Sequence, residues 1–176
     1  MQIRYTRFLT ALWLCALTQA CKRPDPIRLQ PTIEEPATLV SVIRIADPST
    51  SSQLLRGFYP LEANTWRWAA GNFSVVFGAP AIARENGAWL VLAFNLPDAS
   101  IQTLKKITLR AKTGDVELSP EEYATPGEHQ YRREVPAAAL SKDVIEVDFT
   151  LDKFLTLPND ARELGLVVTQ IGLVAK

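Results

Sequence analysis

Trp66 and Trp68, with Arg67 between them, are the side chains in this sequence with the clearest binding chemistry. In a β-strand residues i and i+2 share a face, so the two indoles lie side by side while Arg67 points the other way. Their π faces, and that of nearby Tyr59, suit the apolar C–H faces of sugar rings. The competing use is filling a hydrophobic core, the commoner fate of large aromatics. Glu62, Arg67, Asp160 and Arg162 form a polar set around the same segments. Carboxylates beside guanidinium groups either bind sugar hydroxyls through paired hydrogen bonds or lock loops at one end of a fold. Locking is expected here, because each arginine has two acidic partners available, and Glu62 with Arg67 is one such pair. Trp89, inside the most apolar segment of the chain, is expected in the core.

Bond-breaking chemistry finds less support. His129 is the only histidine. A metal site needs several ligands and a nucleophilic triad needs an ordered set, and neither surrounds it. It reads as an exposed or half-buried strand residue. Glu121, Glu122, Asp148 and Asp152 offer carboxylates of the kind that glycoside hydrolysis uses in pairs. Acidic residues on a small β domain are usually solvated, and the chain leaves little room for a deep substrate cleft. The protein is read as non-enzymatic, with no cofactor and no metal. With 19 Lys+Arg against 19 Asp+Glu it carries no basic footprint for nucleic acid.

The N-terminus carries chemistry of another kind. Arg4 and Arg7 precede an apolar stretch from Phe8 to Leu17. That stretch is about ten residues, against the roughly 20 a membrane-spanning helix needs, so residues 1–20 read as a secretory signal peptide. Leu17-Thr18-Gln19-Ala20-Cys21 resembles a bacterial lipobox, with Thr18 where the pattern prefers Leu and Gln19 where it prefers Ser, Ala or Thr. The resemblance implies cleavage after Ala20 and a lipid on Cys21. Lys22 stands where an inner-membrane lipoprotein would carry Asp, so the implied location is extracytoplasmic, at the outer membrane rather than the inner. Cleavage also removes Cys15, which leaves no intrachain disulfide and no Cys-based metal site. It leaves 17 cations against 19 anions, a slightly acidic mature chain.

Residues 21–38 contain Pro24, Pro26, Pro31 and Pro36, a density that favours extended chain over helix or sheet and reads as a flexible tether. At about 3 Å per residue it could hold a domain roughly 50 Å from its anchor. From residue 39 to 176 the apolar pattern has the period of strands. Leu39–Ala46, Thr65–Ala70, Asn72–Phe77, Ala88–Asn95, Lys106–Ala111, Val116–Leu118, Glu128–Val135, Val144–Leu151 and Leu164–Val174 are predicted strands. Gly71 marks either a break between two short strands or a bulge in one bent strand. Pro136–Leu140 is the best helical turn. Eight to ten short strands at regular spacing predict an all-β fold, a jelly-roll-like β-sandwich.

Gly57-Phe58-Tyr59-Pro60-Leu61-Glu62, Trp66-Arg67-Trp68 and Asp160-Ala161-Arg162-Glu163-Leu164-Gly165, followed by alternating Val167, Thr169 and Ile171, resemble the motifs of an uncharacterised family of bacterial β-sandwich domains. Members of that family occur alone or beside glycosyltransferases and other cell-surface polysaccharide proteins. Ala69 departs from it, since similar sequences more often carry Thr there. The resemblance implies a jelly-roll-like sandwich and a carbohydrate context.

The resulting expectation is a lipid-anchored envelope protein that binds a glycan or envelope polysaccharide through Tyr59, Trp66 and Trp68. The alternative is a structural or assembly lipoprotein that docks another envelope protein through a sandwich edge or its loops. The anchor has a direct check: Cys21→Ala should move the protein from the membrane fraction to the soluble fraction, and continued membrane association would argue against lipidation.

Overall fold

A computed structural model describes residues 38–176. The signal segment, Cys21 and the proline-rich stretch up to residue 37 lie outside the described residues. Eleven strands follow one another: β1 (Val42–Arg44), β2 (Leu54–Phe58), β3 (Arg67–Gly78), β4 (Ala88–Leu96), β5 (Ile107–Thr113), β6 (Val116–Tyr123), β7 (Gly127–Val135), β8 (Val144–Leu151), β9 (Leu155–Leu157), β10 (Asp160–Leu164) and β11 (Leu166–Ala175). Two short helices, α1 (Ala83–Asn86) and α2 (Asp98–Leu104), lie before and after β4. Among the described residues no helix is long and apolar enough to cross a membrane.

Nine strands form one continuous antiparallel sheet in the order β6-β5-β8-β3-β11-β4-β7, with β1 added on β11 and β2 on β3. The start of β3 pairs with β11, Trp68 opposite Val167, whereas its second half pairs with β8, Phe73 opposite Phe149. The sheet therefore folds at β3 into two layers, β2-β3-β8-β5-β6 and β1-β11-β4-β7. The all-β sandwich expected from the sequence is present, and it closes nearly into a barrel.

Alternation decides what fills it. In β4 the even-numbered residues from Ala88 to Leu96 are buried and the odd ones half-exposed. Leu90, Leu92 and Phe94 thus join Phe73, Val75 and Phe77 of β3 and Val147 and Phe149 of β8 in one core. Phe73 and Phe149 stack with ring centroids 4.8 Å apart, and Phe58 meets Phe73 edge-on at 5.4 Å. Trp89 is not in this core. It has the outward parity of β4, half-buried under the Arg132 guanidinium, whose carbon sits 3.6 Å from the ring centroid. A run of apolar residues concealed the alternation, because small Ala93 and Val91 occupy outward positions that a polar residue would have marked.

At the far corner β6 and β7 approach without sharing a ladder. The Tyr131 hydroxyl and Arg133 Nε both donate to the Ser119 carbonyl, at 2.9 and 2.7 Å, and Arg133 Nη2 donates to the Pro120 carbonyl at 3.1 Å. Burial pushes the Tyr131 phenol up to about 12, so it stays a donor. Arg133 also makes an ion pair with Glu121 at 2.8 Å. The expected strand Val116–Leu118 runs on to Tyr123 despite Pro120. A bulge opposite Arg110 takes up the proline, which is tolerable on a strand that lacks a ladder partner on its outer side.

The first expected strand, Leu39–Ala46, is regular only over Val42–Arg44. The chain after it forms a 3-10 turn, Pro48–Gln53, capped by the Asp47 carboxylate, which accepts from the Ser49 amide at 2.9 Å. Gln53 ends that turn buried. Its amide bonds the Val40 backbone in both directions and donates to the Val76 carbonyl at 2.7 Å, tying the entering chain to β3.

Gly57 allows β2 to lie against β3. It sits at φ +75°, and a Cβ there would overlap the Asn72 carbonyl oxygen and lie 2.7 Å from Phe73 Cα. Backbone strain and overpacking add, so Gly57→Ala is expected to lower unfolding free energy by about 3 kcal/mol in chemical denaturation. Gly114→Ala shares the positive φ but meets nothing within 4 Å, so it should cost less.

Candidate functional site

The segment between β2 and β3 folds back on itself at a tight turn. Glu62 and Trp66 form a two-way bridge, the Glu62 amide donating to the Trp66 carbonyl at 2.8 Å. The Thr65 amide closes the turn on the Glu62 carbonyl at 3.0 Å, across Ala63 and Asn64, both at positive φ (48° and 53°). Asn tolerates that region and Ala does so at a cost of about 1 kcal/mol, so strain is held at the tip of this turn.

Trp66 and Trp68 leave this turn on the outward face of β3. Ala69, of opposite parity to Trp68, is fully buried, whereas both indoles are half-exposed. They meet edge to face with centroids 6.2 Å apart. Neither belongs to the buried core, and both are half-buried on the outer face. Tyr59 is also half-exposed.

The polar residues gather on the adjoining side. Arg162 in β10 holds Asp160 through paired bonds, Nε and Nη2 donating to Oδ2 at 3.0 and 2.7 Å, and its Nη1 donates to Glu62 Oε1 at 2.7 Å. Its guanidinium carbon also lies 5.5 Å from the centre of the Tyr59 ring. The Tyr59 hydroxyl accepts from the Glu163 amide at 2.8 Å, and Glu163 Oε2 accepts from the Gly71 amide at 3.3 Å. The bonds to Arg162 hold the Asp160 carboxyl below its ordinary value and raise the guanidinium further above its own. The Asp160 contribution to stability is therefore present above the ordinary aspartate range and lost as pH falls through its lowered folded value.

Four of the nominated residues, Tyr59, Glu62, Asp160 and Arg162, thus come together in one clasp between the β2–β3 turn and the β9–β10 hairpin. Arg67 does not pair with Glu62. It has the inward parity, donates through Nη1 to the Tyr59 carbonyl at 3.0 Å, and keeps a buried Nε without a partner. The reason is the alternation itself: the strand that turns Trp66 and Trp68 outward turns Arg67 away from the Glu62 carboxylate. Glu163 was not nominated. Its place in the Asp-x-Arg-x-Leu-Gly segment was the available signal, but the bond that uses it involves a backbone amide, which composition does not show.

No protein-family model and no curated protein matches this chain. The site's chemistry rests on its own geometry. The surface hollows beside Val76 and Asp148, beside Arg110 and Thr150, and beside Ala93 and Thr169 do not include Trp66 or Trp68 in their linings. His129 lies half-buried in β7, its ring 5.0 Å from Tyr123 and 5.7 Å from Phe94, with Nε2 2.8 Å from the Thr125 carbonyl oxygen. Among the described residues no group of three or more His, Cys, Asp or Glu is placed to hold a metal ion.

The clasp is about one-third exposed on both partners, 33% for Arg162 and 36% for Glu62, so solvent screens it. A double-mutant cycle on Glu62 and Arg162 is expected to read a coupling of up to about 1 kcal/mol, and the same cycle on Glu62 and Arg67 to read none. Equal couplings in the two cycles would contradict this pairing.

Proposed function

We propose that the protein is a non-enzymatic glycan-binding protein of the cell envelope, anchored through a lipid on Cys21 and displaying its β-sandwich above the outer membrane. The observation that carries the reading is the outward placement of Trp66 and Trp68. Large aromatics on a strand face are normally driven inward, and two half-buried indoles at adjacent same-face positions outside the core offer a π surface on which sugar rings stack. The clasp beside them fixes the turn from which they project, so the platform is formed before a ligand arrives and less ordering entropy opposes binding.

The alternative, docking of another envelope protein along a sandwich edge, has one feature in its favour: Leu55 on edge strand β2 is 47% exposed. The pairing of β2 is irregular on either side of Arg56, and Arg56 itself is engaged with Asp148. An irregular, charged edge is a poor template for an added strand. The glycan reading is preferred.

Incubation of the full-length protein with immobilised envelope and plant polysaccharides tests this. Retention on at least one, lost with Trp68→Ala and kept with an exposed-site variant such as Lys142→Ala, is the expected outcome. Absence of retention on every polysaccharide would sink the reading.

A further inference from the structure

The geometry points to a binding groove that does not end at the two tryptophans but continues across the outer face of the second layer, and that takes an uncharged linear oligosaccharide. This rests on the glycan reading above and extends it. Residues paired across a ladder point to the same side of a sheet. Trp68 in β3 is paired with Val167 in β11, Val167 with Asn95 in β4, and Asn95 with Glu128 in β7. These four residues form one row, and the row is outward: Leu166, Val168, Phe94 and Leu96, which flank Val167 and Asn95 along their strands, are core residues. Val167, 8% exposed, is the low apolar step between the indole and the amide.

Where this row reaches β4 and β7 the surface is hollow. A depression of about 400 Å³ is lined there by Ala93, Asn95, Glu128, Gln130 and Thr169, with Phe94 and His129 behind them. Its volume is within the range of small-molecule sites, roughly 300–1,000 Å³. Thr169 reaches this position because β11 slips register between Val168 and Gln170, which sets an extra residue beside β4, with its hydroxyl bonded to the Ala93 carbonyl at 3.2 Å. Bulges of this kind re-aim side chains at functional surfaces.

The chemistry along the row changes in the way a sugar chain requires. At one end are aromatic faces for ring stacking, and at the other are two amides, a hydroxyl and a carboxylate, donors and acceptors suited to sugar hydroxyls. Three strand spacings separate β3 from β7, roughly 14 Å, which is more than one sugar ring. No lysine or arginine lines the hollow, and its fixed charge is the Glu128 carboxylate. A uronate, sulfate or phosphate seated in the hollow would meet the Glu128 carboxylate first, with the nearest cation on its row, Arg44, set back two strands on β1, so the hollow disfavours anionic glycans.

Calorimetric titration of the full-length protein in mild detergent separates the groove from the platform. The probes are neutral cello-, manno- and chito-oligosaccharides of one to six sugars, with oligogalacturonate as the acidic counterpart. For a neutral series that binds, affinity should rise with length and then level off, and oligogalacturonate should bind at least tenfold more weakly than the best neutral hexamer. Asn95→Ala and Gln130→Ala should each weaken the hexamer about fivefold or more and leave the single sugar unchanged. Trp68→Ala should abolish both. Gln130 is exposed, so its variant keeps the fold even where Asn95→Ala does not. Loss of binding on Trp68→Ala together with parental hexamer affinity in both Asn95→Ala and Gln130→Ala overturns the groove and leaves the platform. Preference for oligogalacturonate overturns the selectivity. Failure of the parent protein to bind any probe overturns the platform and the groove together.

Discussion

The whole architecture turns on one strand serving two layers. β3 gives its first residues to β11 and its last seven to β8, while β2 stays paired with it from Ala69 to Val75 across the bend. The bend is possible because two glycines remove side chains at the crossing. A Cβ on Gly165 would lie 2.8 Å from the Ala69 carbonyl oxygen and 2.9 Å from that of Ala70, and one on Gly71 would lie 2.9 Å from Phe154 Cε1. With those atoms absent, the Gly165 amide donates to the Ala69 carbonyl at 2.9 Å and Phe154 packs against the bend. The backbone contact fixes where β11 begins, and that in turn sets Val167 opposite Trp68. Tight packing of this sort transmits small displacements, because a protein interior has few voids to absorb them.

The opposite corner is closed by different means, and the contrast has consequences for dynamics. At β3 and β11 the layers share ladder hydrogen bonds. At β6 and β7 they are joined by the side chains of Tyr131 and Arg133 reaching backbone carbonyls, beside an aromatic group of Phe94, Tyr123 and His129. Burial, with the Glu121 charge as a smaller contribution, raises the Tyr123 phenol well above its ordinary value, so it remains neutral. Side-chain closure carries fewer cooperative bonds than a ladder, so this seam belongs to the less protected part of the molecule, and the β3–β11 corner to the more protected part. The surface that carries Trp66 and Trp68 is at the protected corner.

Sequence patterning gave the sandwich and most of its strands, because alternation is a direct consequence of having one wet and one dry face. It failed where that cause is absent. Leu54–Phe58 was not expected as a strand, since Arg56 and Gly57 break its pattern and its pairing with β3 is itself irregular. Helix α2 was hidden by the turn signal of Pro97 and Asp98, whose proline proves to be the N-cap residue of that helix. The polar cluster was legible as a set of residue types but not as a set of bonds. Glu62 and Arg162 are 100 positions apart, and only the bend that brings β10 against the β2–β3 turn makes them partners in place of Glu62 and Arg67. The two competing fates of Trp66 and Trp68 could not be separated from spacing, because spacing fixes that they share a face and not which face is dry.

The interior of this sandwich is occupied: Phe73, Phe77, Tyr131 and Phe149 fill it with almost no exposure. Any ligand must then be met on a face or at the loops, where alternation would normally place polar residues. Trp66, Trp68 and Trp89 break that rule. For Trp89 the exception is compensated, since Arg132 lies over its ring and the Lys176 ammonium is 5.4 Å from it, so that two cations cover the indole from water. Trp66 and Trp68 instead lean on each other edge to face, with centroids 6.2 Å apart, and are half-buried as Trp89 is. Local rules of patterning are broken without full compensation mainly where a protein does its work. The strained Ala63 at the tip of the same turn is a second departure in the same place. Strained Ala63, the two indoles and the ion-paired clasp thus meet at one corner, while Lys105 after α2 holds a positive φ of 66° of its own.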